Sequence, residues 1–303
     1  MTRSDIFVCK VCSSRRLRQR PFGYRFNGKW LQAWECLDCG IIFIDPQPTS
    51  EDIHRLYSKE YFSSDYRCGH EGSYFEEKTL ERLSDPELLR LIKNYKPRGK
   101  FLEVGCAGGA FLNAARNEGY EVYGVELSDE AASFARQKFS LNVVVGDVHS
   151  AEFNSEMFDV VYLGDVLEHL RNPRETLAEL RRIIVDGGLL VLQCPMQTNT
   201  LFSRAGFFLY GLLGKNATVH LPPYHMFEYR PKSMMEFLCL SGFSILSEKS
   251  GLISPAEIRL RGNALQKIGK KIFQYPNYLV TRITGKFGDR IQIFATKNED
   301  QRR

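Results

Sequence analysis

The stretch FLEVGCAGGAFL, residues 101–112, decides which fold we expect for this chain. Its apolar run includes the acid Glu103, and a glycine-rich turn then leads directly into a segment with the spacing of an amphipathic helix. A strand, a tight glycine turn and a helix in this order are typical of the first unit of a doubly wound α/β domain. In such a unit, the backbone of the turn and the first amides of the helix can hold a ligand. A glycine-rich turn alone is weak evidence for a ligand, because a tight connection needs glycine for its own geometry.

Strand-like and helix-like segments alternate from residue 100 onward. The predicted strands are KFLEVG, YEVYGVEL, NVVVGD, FDVVYLGD and GLLVLQCP, and the predicted helices between them are GAFLNAARNEG, SDEAASFARQKF and RETLAELRRII. Runs dense in Val, Ile and Leu that are separated by helices indicate a parallel sheet covered on both faces. FSILSEKS and DRIQIFATK predict two closing strands, the second antiparallel and at the edge of the sheet.

The composition is that of a globular protein. Of 303 residues, 43% are hydrophobic and 25% are charged, so the chain can bury a large core. The N-terminus lacks the apolar core of a signal peptide, and no stretch reaches the roughly 18 apolar residues of a membrane span. We therefore expect a soluble, cytoplasmic protein.

The net charge of +5 conceals an uneven distribution. Residues 1–30 and residues 257–303 each carry +7, and the residues between them carry −9. Two basic ends suit an anionic partner such as RNA, phosphate or a lipid surface, and a peripheral membrane contact is among these options. Scattered, solvated arginines are the alternative.

Four of the eight cysteines form two CxxC pairs, Cys9 with Cys12 and Cys36 with Cys39, and 23 residues separate the pairs. Two such pairs can surround one metal ion with four sulfur ligands, which predicts a structural zinc site without an open coordination position. Two disulfides or free thiols are the alternative, although a cytosolic setting disfavours disulfides.

The sequence between the cysteine pairs predicts a hairpin. Aromatic and apolar residues recur near period 2 on both sides of Asn27-Gly28, a dipeptide favoured in hairpin turns. Further on, residues 79–94 predict a single helix that ends before Pro97. We divide the chain into a zinc ribbon (residues 1–45), a helical connector (46–98) and a ligand-binding α/β domain (99–303). Within the α/β domain we expect a lid at residues 196–230 and a basic amphipathic insertion at residues 257–287.

Acidic residues end the second and third predicted strands of the α/β domain. Glu126 follows Gly105 by 21 residues, where a carboxylate would accept both ribose hydroxyls of a nucleoside. Asp147 ends the third strand, well placed to accept from an adenine amino group. Both acids have an alternative role as helix N-caps, although Ser128 is also available to cap the helix that follows Glu126.

Together these residues resemble the class I S-adenosylmethionine-dependent methyltransferases, which have a Rossmann-like, seven-stranded, mostly parallel sheet with helices on both faces. EVGCAGG is similar to the first motif of that family; Gly105 and Gly109 fit it, and Ala107 stands where a glycine is common. The resemblance covers roughly residues 99–297. It implies S-adenosylmethionine as cofactor, with the methionine part near the glycine turn, the ribose at Glu126 and the adenine at Asp147. The implied cofactor-binding residues are Glu103, Gly105, Ala107, Gly109, Glu126, Leu127, Asp147, Val148 and Gly164.

The N-terminal half is similar to bacterial methyltransferases that begin with a CxxC...CxxCG ribbon followed by a segment similar to IFIDPQPTSEDIHRLYSKEYF. Those proteins resemble enzymes that modify sugars, lipids or secondary metabolites. Related chains with a different cysteine ribbon are C-methyltransferases of nucleotide sugars, and a few zinc-bearing ones modify ribosomal RNA.

The fourth predicted strand is followed by Asp165, Glu168 and His169. This set is similar to the ExxEH of certain O-methyltransferases, including those of ubiquinone biosynthesis and of small-RNA end methylation, in which it binds a divalent cation. Asp165 replaces the first Glu here. The resemblance thus implies a divalent cation, and Asp165 and His169 become candidate catalytic residues. In the alternative, Glu168 caps a turn and His169 packs near the cofactor.

The predicted lid supplies a second set of candidates, His220, Tyr224, His225 and Tyr229. We expect His225 to act as a general base or to contact the acceptor, since histidine titrates near neutrality; a purely structural histidine is the alternative. The apolar run at residues 201–214 predicts either a buried lid helix or an interfacial helix that receives a lipid acceptor.

The sequence therefore predicts a methyltransferase that modifies a hydroxyl of a small-molecule, glycan or lipid-linked intermediate. An RNA methyltransferase that binds RNA through the basic ribbon and a C-methyltransferase of a nucleotide sugar are the alternative enzymes. A binding or scaffold protein with a degenerate cofactor site is a third class, for which Ala107 is the only hint.

Overall fold

The computed structural model describes residues 7–57, 62, 73–219, 223–251 and 275–298. The strands are β1 (Leu17–Phe26), β2 (Lys29–Cys36), β3 (Ile42–Asp45), β4 (Lys100–Val104), β5 (Glu121–Glu126), β6 (Val143–Val145), β7 (Phe158–Gly164), β8 (Ile184–Pro195), β9 (Ala217–Val219), β10 (Phe227–Glu228), β11 (Phe243–Gly251) and β12 (Arg290–Lys297). The α-helices are α1 (Ser50–Leu56), α2 (Glu77–Leu83), α3 (Pro86–Tyr95), α4 (Ala110–Asn117), α5 (Asp129–Phe139), α6 (Pro173–Ile183), α7 (Leu201–Leu212) and α8 (Pro231–Leu240). Residues 275–284 are also helical.

The α/β domain is built on a seven-stranded mixed sheet, as predicted. Its order is β11-β12-β8-β7-β4-β5-β6, in which β4 to β8 are parallel and β12 runs antiparallel to both of its neighbours. The order reverses beside β4, so the carboxyl ends of β4 and β7 flank a crevice at the switch point. The predicted ligand end of the sheet is therefore formed.

The expected edge position of the last strand is wrong. β12 lies between β8 and β11, and Ile293 in β12 pairs with Leu192 on one side and Glu248 on the other. β11 is the edge strand instead. The burial pattern explains this order, because most residues of β12 are buried whereas β11 alternates with exposed residues.

A second sheet has five strands in the order β10-β3-β2-β1-β9. β1 and β2 form the predicted hairpin, and Asn27 and Gly28 have φ of 47° and 74°, the positive values that a tight hairpin turn requires. β9 and β10 come from the predicted lid and form the two edges of this sheet. The N-terminal strands and the segment 196–230 thus share one sheet, which fixes this segment over the crevice.

The connector departs from the prediction of one helix over residues 79–94. Two helices are present, because Asp85 adopts φ 34° and Pro86 begins α3. The Asp85 side chain accepts the Leu88 N–H at 3.0 Å, which caps α3. The break between the two helices, which the prediction lacked, thus consists of a capping aspartate followed by a proline at the first position of α3.

The apolar run of the lid forms α7, and none of its residues is buried. The expected buried lid helix is therefore wrong, since only one side of α7 packs against β1. Much of the predicted basic insertion 257–287 lies outside the described residues, which resume at residue 275. Among the described helices, none is long and apolar enough to cross a bilayer.

Candidate active site

The carboxyl ends of the parallel strands open into one cleft of about 1550 Å³. The predicted cofactor-binding residues that line it are Glu103, Gly105, Ala107, Glu126, Leu127, Asp147, Val148 and Gly164. Gly109 does not line the cleft. It begins α4 with φ 76°, and a Cβ at this position would lie 2.6 Å from Leu141 Cδ1, so its glycine serves helix packing.

The Glu126 carboxylate holds the glycine-rich turn in place. One oxygen accepts the Ala107 N–H at 2.8 Å, and the other accepts the Ser128 N–H at 2.9 Å. Ser128 itself caps α5, since its side chain accepts from Ala131. Glu126 is thus not a helix N-cap, and its carboxylate lies at the wall of the cleft where a ribose was predicted.

Ala107 adopts the left-handed backbone conformation, with φ 47°. This conformation costs an L-residue roughly 1–2 kcal/mol, whereas glycine adopts it freely. The alanine that replaces the common glycine is therefore strained at this position, but it is compatible with the turn. Gly105, two residues earlier, also has a positive φ, of 73°.

Glu103 is buried beneath the turn. Burial raises the pKa of its carboxyl well above the ordinary glutamate value, and the nearby Glu126 carboxylate adds to the effect. In the described part of the chain, Glu103 Oε2 has no hydrogen-bond partner. A buried carboxylate oxygen without a donor suits a cationic ligand group that would supply the missing hydrogen bond.

Asp147 caps a turn after β6, and because residues 148–152 form a turn and not a helix, it is not the helix N-cap that was the alternative. Its Oδ1 accepts the N–H groups of His149 at 3.0 Å and Ser150 at 2.8 Å. The residue also lines the cleft. The capping fixes the orientation of the carboxylate while Val148 lies buried beside it.

A second group of polar side chains lies elsewhere along the same cleft. Nitrogen and oxygen atoms of Glu168, His169 and His225 lie within 4.8 Å of one another, which makes the group a candidate for holding a metal ion. Glu168 and His169 come from the one-turn helix after β7, and His225 comes from the segment that follows β9. The structure thus joins one predicted lid residue to two of the three residues predicted beside the fourth strand.

The hydrogen bonds of His169 constrain what lies between it and Glu168. His169 Nδ1 is 2.8 Å from the Tyr224 backbone carbonyl, and a carbonyl can only accept, so Nδ1 carries a proton. In a neutral ring, Nε2 is then a lone-pair acceptor that faces Glu168 Oε1 at 3.3 Å. Two facing acceptors need a shared proton or a metal cation between them.

His225 is surrounded by carboxylates. Its Nδ1 lies 3.5 Å from Glu228 Oε1. Burial alone would lower the pKa of the imidazole, but the hydrogen bond to Glu228 and the charges of Glu168, Glu228 and Asp165 outweigh burial and raise it. His225 and His169 also pack edge to face, with ring centroids 4.9 Å apart.

Asp165 is paired with a residue that sequence reasoning missed. Arg290, at the start of β12, donates to Asp165 Oδ1. Asp165 is therefore not part of the Glu168, His169 and His225 group, although it lines the same cleft. Arg290 follows Asp165 by 125 positions, and only the pairing of β12 with β8 brings the two residues together. Glu228 was missed as well, although its spacing three residues after His225 was a usable signal.

The other lid candidates have structural contacts. Tyr229 is fully buried and donates to the Leu167 carbonyl at 3.4 Å. Tyr224 lines the cleft and supplies the carbonyl that orients His169. His220 lies outside the described residues.

The four paired cysteines cluster at one end of the five-stranded sheet. Cys9 and Cys39 have their sulfur atoms 3.7 Å apart, and Cys12 and Cys36 have theirs 3.5 Å apart. All four sulfur atoms lie within 4.8 Å of one another. Four Zn–S bonds of about 2.3 Å in a tetrahedron place the sulfur atoms about 3.8 Å apart, so this cluster fits a zinc ion.

The thiolate form that a metal needs is favoured at Cys9. A hydrogen bond from the Cys39 thiol lowers the pKa of Cys9 to about 5, despite burial, and the same hydrogen bond raises the pKa of Cys39. The Val11 N–H also lies 3.4 Å from the Cys9 sulfur, which would stabilise its negative charge.

Part of the chain matches a known domain family. Residues 102–192 match the family described as "Methyltransferase domain". The ubiquinone biosynthesis O-methyltransferase of Azoarcus sp. (strain BH72) is 25% identical over 159 residues, which are 49% of this chain and 65% of that protein. The chain spans 60% and 65% of the length of the first two curated relatives, and 74% of a ubiquinone biosynthesis O-methyltransferase of Coxiella burnetii.

Solved structures show the same fold. A SAM-dependent methyltransferase from Archaeoglobus fulgidus superposes with a TM-score of 0.52 at 22% identity, over 74% of this chain and 98% of that chain. The [4+2]-cyclase SpnF superposes with a TM-score of 0.53 at 16% identity, over 84% of this chain and 98% of that chain. A fold does not by itself determine a reaction. Residues 102–192 thus match a methyltransferase domain, and the chain shares the fold of these solved structures.

Proposed function

We propose that this chain transfers the methyl group of S-adenosylmethionine to a hydroxyl group of a small-molecule, glycan or lipid-linked biosynthetic intermediate. One observation carries the proposal: the acidic strand ends and glycine turn line the same cleft as the Glu168, His169 and His225 group. A cofactor side and an acceptor side would then face each other across one cavity.

The cofactor supplies an electrophilic methyl group on a sulfonium, and the residues of the first wall suit its binding. Glu126 would accept the ribose hydroxyls. The Glu103 oxygen without a partner would accept the ammonium of the methionine part, whose charge offsets the cost of ionising a buried carboxyl. Asp147 and Val148 would contact the adenine.

His225 is the residue that we propose as general base on the acceptor side. When a hydroxyl oxygen attacks the methyl carbon, its proton must pass to a nearby base. His225 could take this proton, and Glu228 would then stabilise the imidazolium that forms. The relative named as an O-methyltransferase agrees with a hydroxyl acceptor.

A divalent cation at the same group is a second candidate. The facing acceptors of His169 and Glu168 support it, as does the Tyr224 carbonyl, which fixes the tautomer that a metal-binding imidazole needs. Glu168, His169 and His225 would hold the ion, whereas Asp165 is engaged by Arg290. The cation would bind the acceptor oxygen and lower its pKa, in which case His225 is a ligand and not the base.

The cluster of Cys9, Cys12, Cys36 and Cys39 is proposed to hold structural zinc. Zinc at this position would join the segment before β1 to the end of β2 and to the turn before β3, and so support the sheet whose edges come from the lid. This gives the metal a role in positioning the lid and none in the chemistry.

The alternative of RNA as substrate has weaker support. Arg16 pairs with Asp38, and Arg18 and Arg20 both pair with Glu35, so three arginines of the basic N-terminus already have acidic partners. Phosphate contacts would have to compete with these pairs. A C-methyltransferase of a nucleotide sugar would use the same cofactor site with a carbon acceptor.

Labelling separates these functions. The purified protein is incubated with methyl-labelled S-adenosylmethionine and a cell extract that is then fractionated into polar metabolites, lipids and RNA. We expect base-stable label in the metabolite or lipid fraction and its loss in His225→Ala. Label that ribonuclease removes would contradict the proposal. Loss of activity with a chelator mild enough to spare the cysteine cluster, with recovery on adding Mg²⁺, would assign the Glu168 group to a cation.

A further inference from the structure

Exposed apolar side chains lie on α7 and on the helix at residues 275–284, and we call the two sets together the α7 face. On α7 the exposed side chains include Phe208 and Leu212, which are 74% and 72% exposed and lie one helical turn apart. On the second helix, Leu279 and Ile283 are exposed at the same spacing, and Ile283 is 82% exposed. Large apolar side chains grouped in this way mark an interaction surface.

Contacts hold the two helices together. The Leu201 N–H donates to the Asn277 side chain at 2.9 Å, and Arg204 lies 5.3 Å from the centre of the Phe287 ring. On its inner side, α7 is fixed to the N-terminal sheet, since Phe207 stacks on Phe22 with ring centroids 4.5 Å apart. The exposed residues are therefore presented by a supported surface.

Up to Asp289, the charged residues of the two helical segments are all basic. Residues 200–219 and 275–288 contain no acidic residue, and their basic residues are Arg204, Lys215, Arg282 and Lys286. Apolar side chains with basic residues beside them are typical of helices that lie in the interface of an anionic bilayer. A symmetric contact between two copies would instead bring these basic residues together without acidic partners.

We propose that the α7 face docks on the surface of an anionic lipid bilayer. None of the described helices can cross a membrane, so docking places α7 in the plane of the interface. α7 lies between Gln197 and Val219, which both line the cleft. Docking would therefore bring the cleft close to the bilayer, and, resting on the function proposed above, an amphiphilic acceptor could enter the cleft from it.

Vesicle sedimentation of the full chain, without S-adenosylmethionine, tests the docking separately from catalysis. The probes are vesicles of phosphatidylcholine with phosphatidylglycerol and vesicles of phosphatidylcholine alone. We expect binding to the anionic vesicles, weaker binding to the neutral ones, and a loss of at least roughly tenfold in the double variant Phe208→Ser/Leu212→Ser. Leu240→Ser, which removes a 66% exposed leucine of α8 outside this face, is the matched control and should bind like the wild type.

Several outcomes would overturn the docking. No binding of the wild type to anionic vesicles, or equal binding of the wild type and the double variant, contradicts it. A lipid-free dimer that the double variant converts to a monomer would assign the face to self-association instead. Thermal unfolding of both variants checks their fold, and because their side chains are exposed we expect wild-type midpoints.

Discussion

The Glu126 carboxylate accepts the Ala107 backbone N–H at 2.8 Å, which ties the end of β5 to the glycine-rich turn after β4. The same carboxylate also accepts from Ser128 at the start of α5. One buried acid thus orders the two loops that form the proposed cofactor wall. At the proposed cofactor site, this relationship would make cofactor affinity, and not only the fold, depend on a single side chain.

Replacing Glu126 should therefore weaken binding of S-adenosylhomocysteine. Glu126→Gln keeps the size of the side chain but removes its charge and replaces one acceptor oxygen with an NH₂ donor. A hydrogen bond to a charged group is worth about 1.5–3 kcal/mol, so we expect the dissociation constant to rise at least roughly tenfold. Calorimetry measures it. Glu121→Gln, at the exposed start of the same strand, is the control and should keep wild-type affinity. Equal affinities of both variants would show that the ribose is misplaced.

Ala107 offers a test of backbone strain. Because its φ is 47°, Ala107→Gly should raise the free energy of unfolding by about 0–1 kcal/mol, the relief of strain being partly offset by glycine entropy. Ala107→Val should lower it by at least about 1 kcal/mol, since a β-branched residue fits this conformation poorly. Urea unfolding compares the two, and the reverse order would show that the turn is not left-handed.

We expect Glu103 to lower the stability of the ligand-free protein and to strengthen cofactor binding. Its pKa is raised in the folded state, so the folded protein keeps a proton that the unfolded chain loses, and stability falls as pH rises above the ordinary glutamate value. Glu103→Gln removes this titration. We expect the ligand-free variant to exceed the wild type by about 1 kcal/mol at pH near 8 and by less at pH near 5.

The same variant should bind S-adenosylhomocysteine more weakly, because it lacks the charge that would pair with the ligand ammonium. Urea unfolding at both pH values and calorimetry supply the two measurements. Parallel stability curves for the two proteins would contradict the raised pKa. Unchanged affinity would remove Glu103 from the cofactor site.

Zinc binding should depend on each cysteine of the cluster. We expect one zinc per chain to survive dialysis of the wild type and to be lost in Cys36→Ser, together with several degrees of thermal stability, because the metal links strands of the N-terminal sheet. Cys239→Ser, which changes an exposed cysteine outside the cluster, should keep the zinc. A zinc-free wild type with an unchanged unfolding midpoint would contradict the assignment.

The local parts of the fold could be predicted from the sequence. The glycine turn, the Asn27-Gly28 hairpin and the acid at the end of β5 each depend on residues close together in the chain, and the structure contains all three. The two CxxC pairs could be recognised in the same way, because the spacing within each pair is a local property as well.

The long-range parts could not be predicted. Arg290 reaches Asp165 only because β12 is inserted beside β8, and β-strand order is not encoded in either strand alone. His225 meets Glu168 because β10 joins the N-terminal sheet and so fixes the adjoining lid segment. The sequence left the choice between a buried and an interfacial helix open at α7 for a related reason: hydrophobicity predicts burial only when another element is available to cover the helix.

Calorimetry of the zinc-loaded wild type with S-adenosylhomocysteine tests the central claim most directly. We predict binding at one site per chain with a dissociation constant in the micromolar range. A folded, zinc-loaded protein that gives no heat at high micromolar ligand, and that the ligand does not stabilise against thermal unfolding, would contradict the assignment as a methyltransferase.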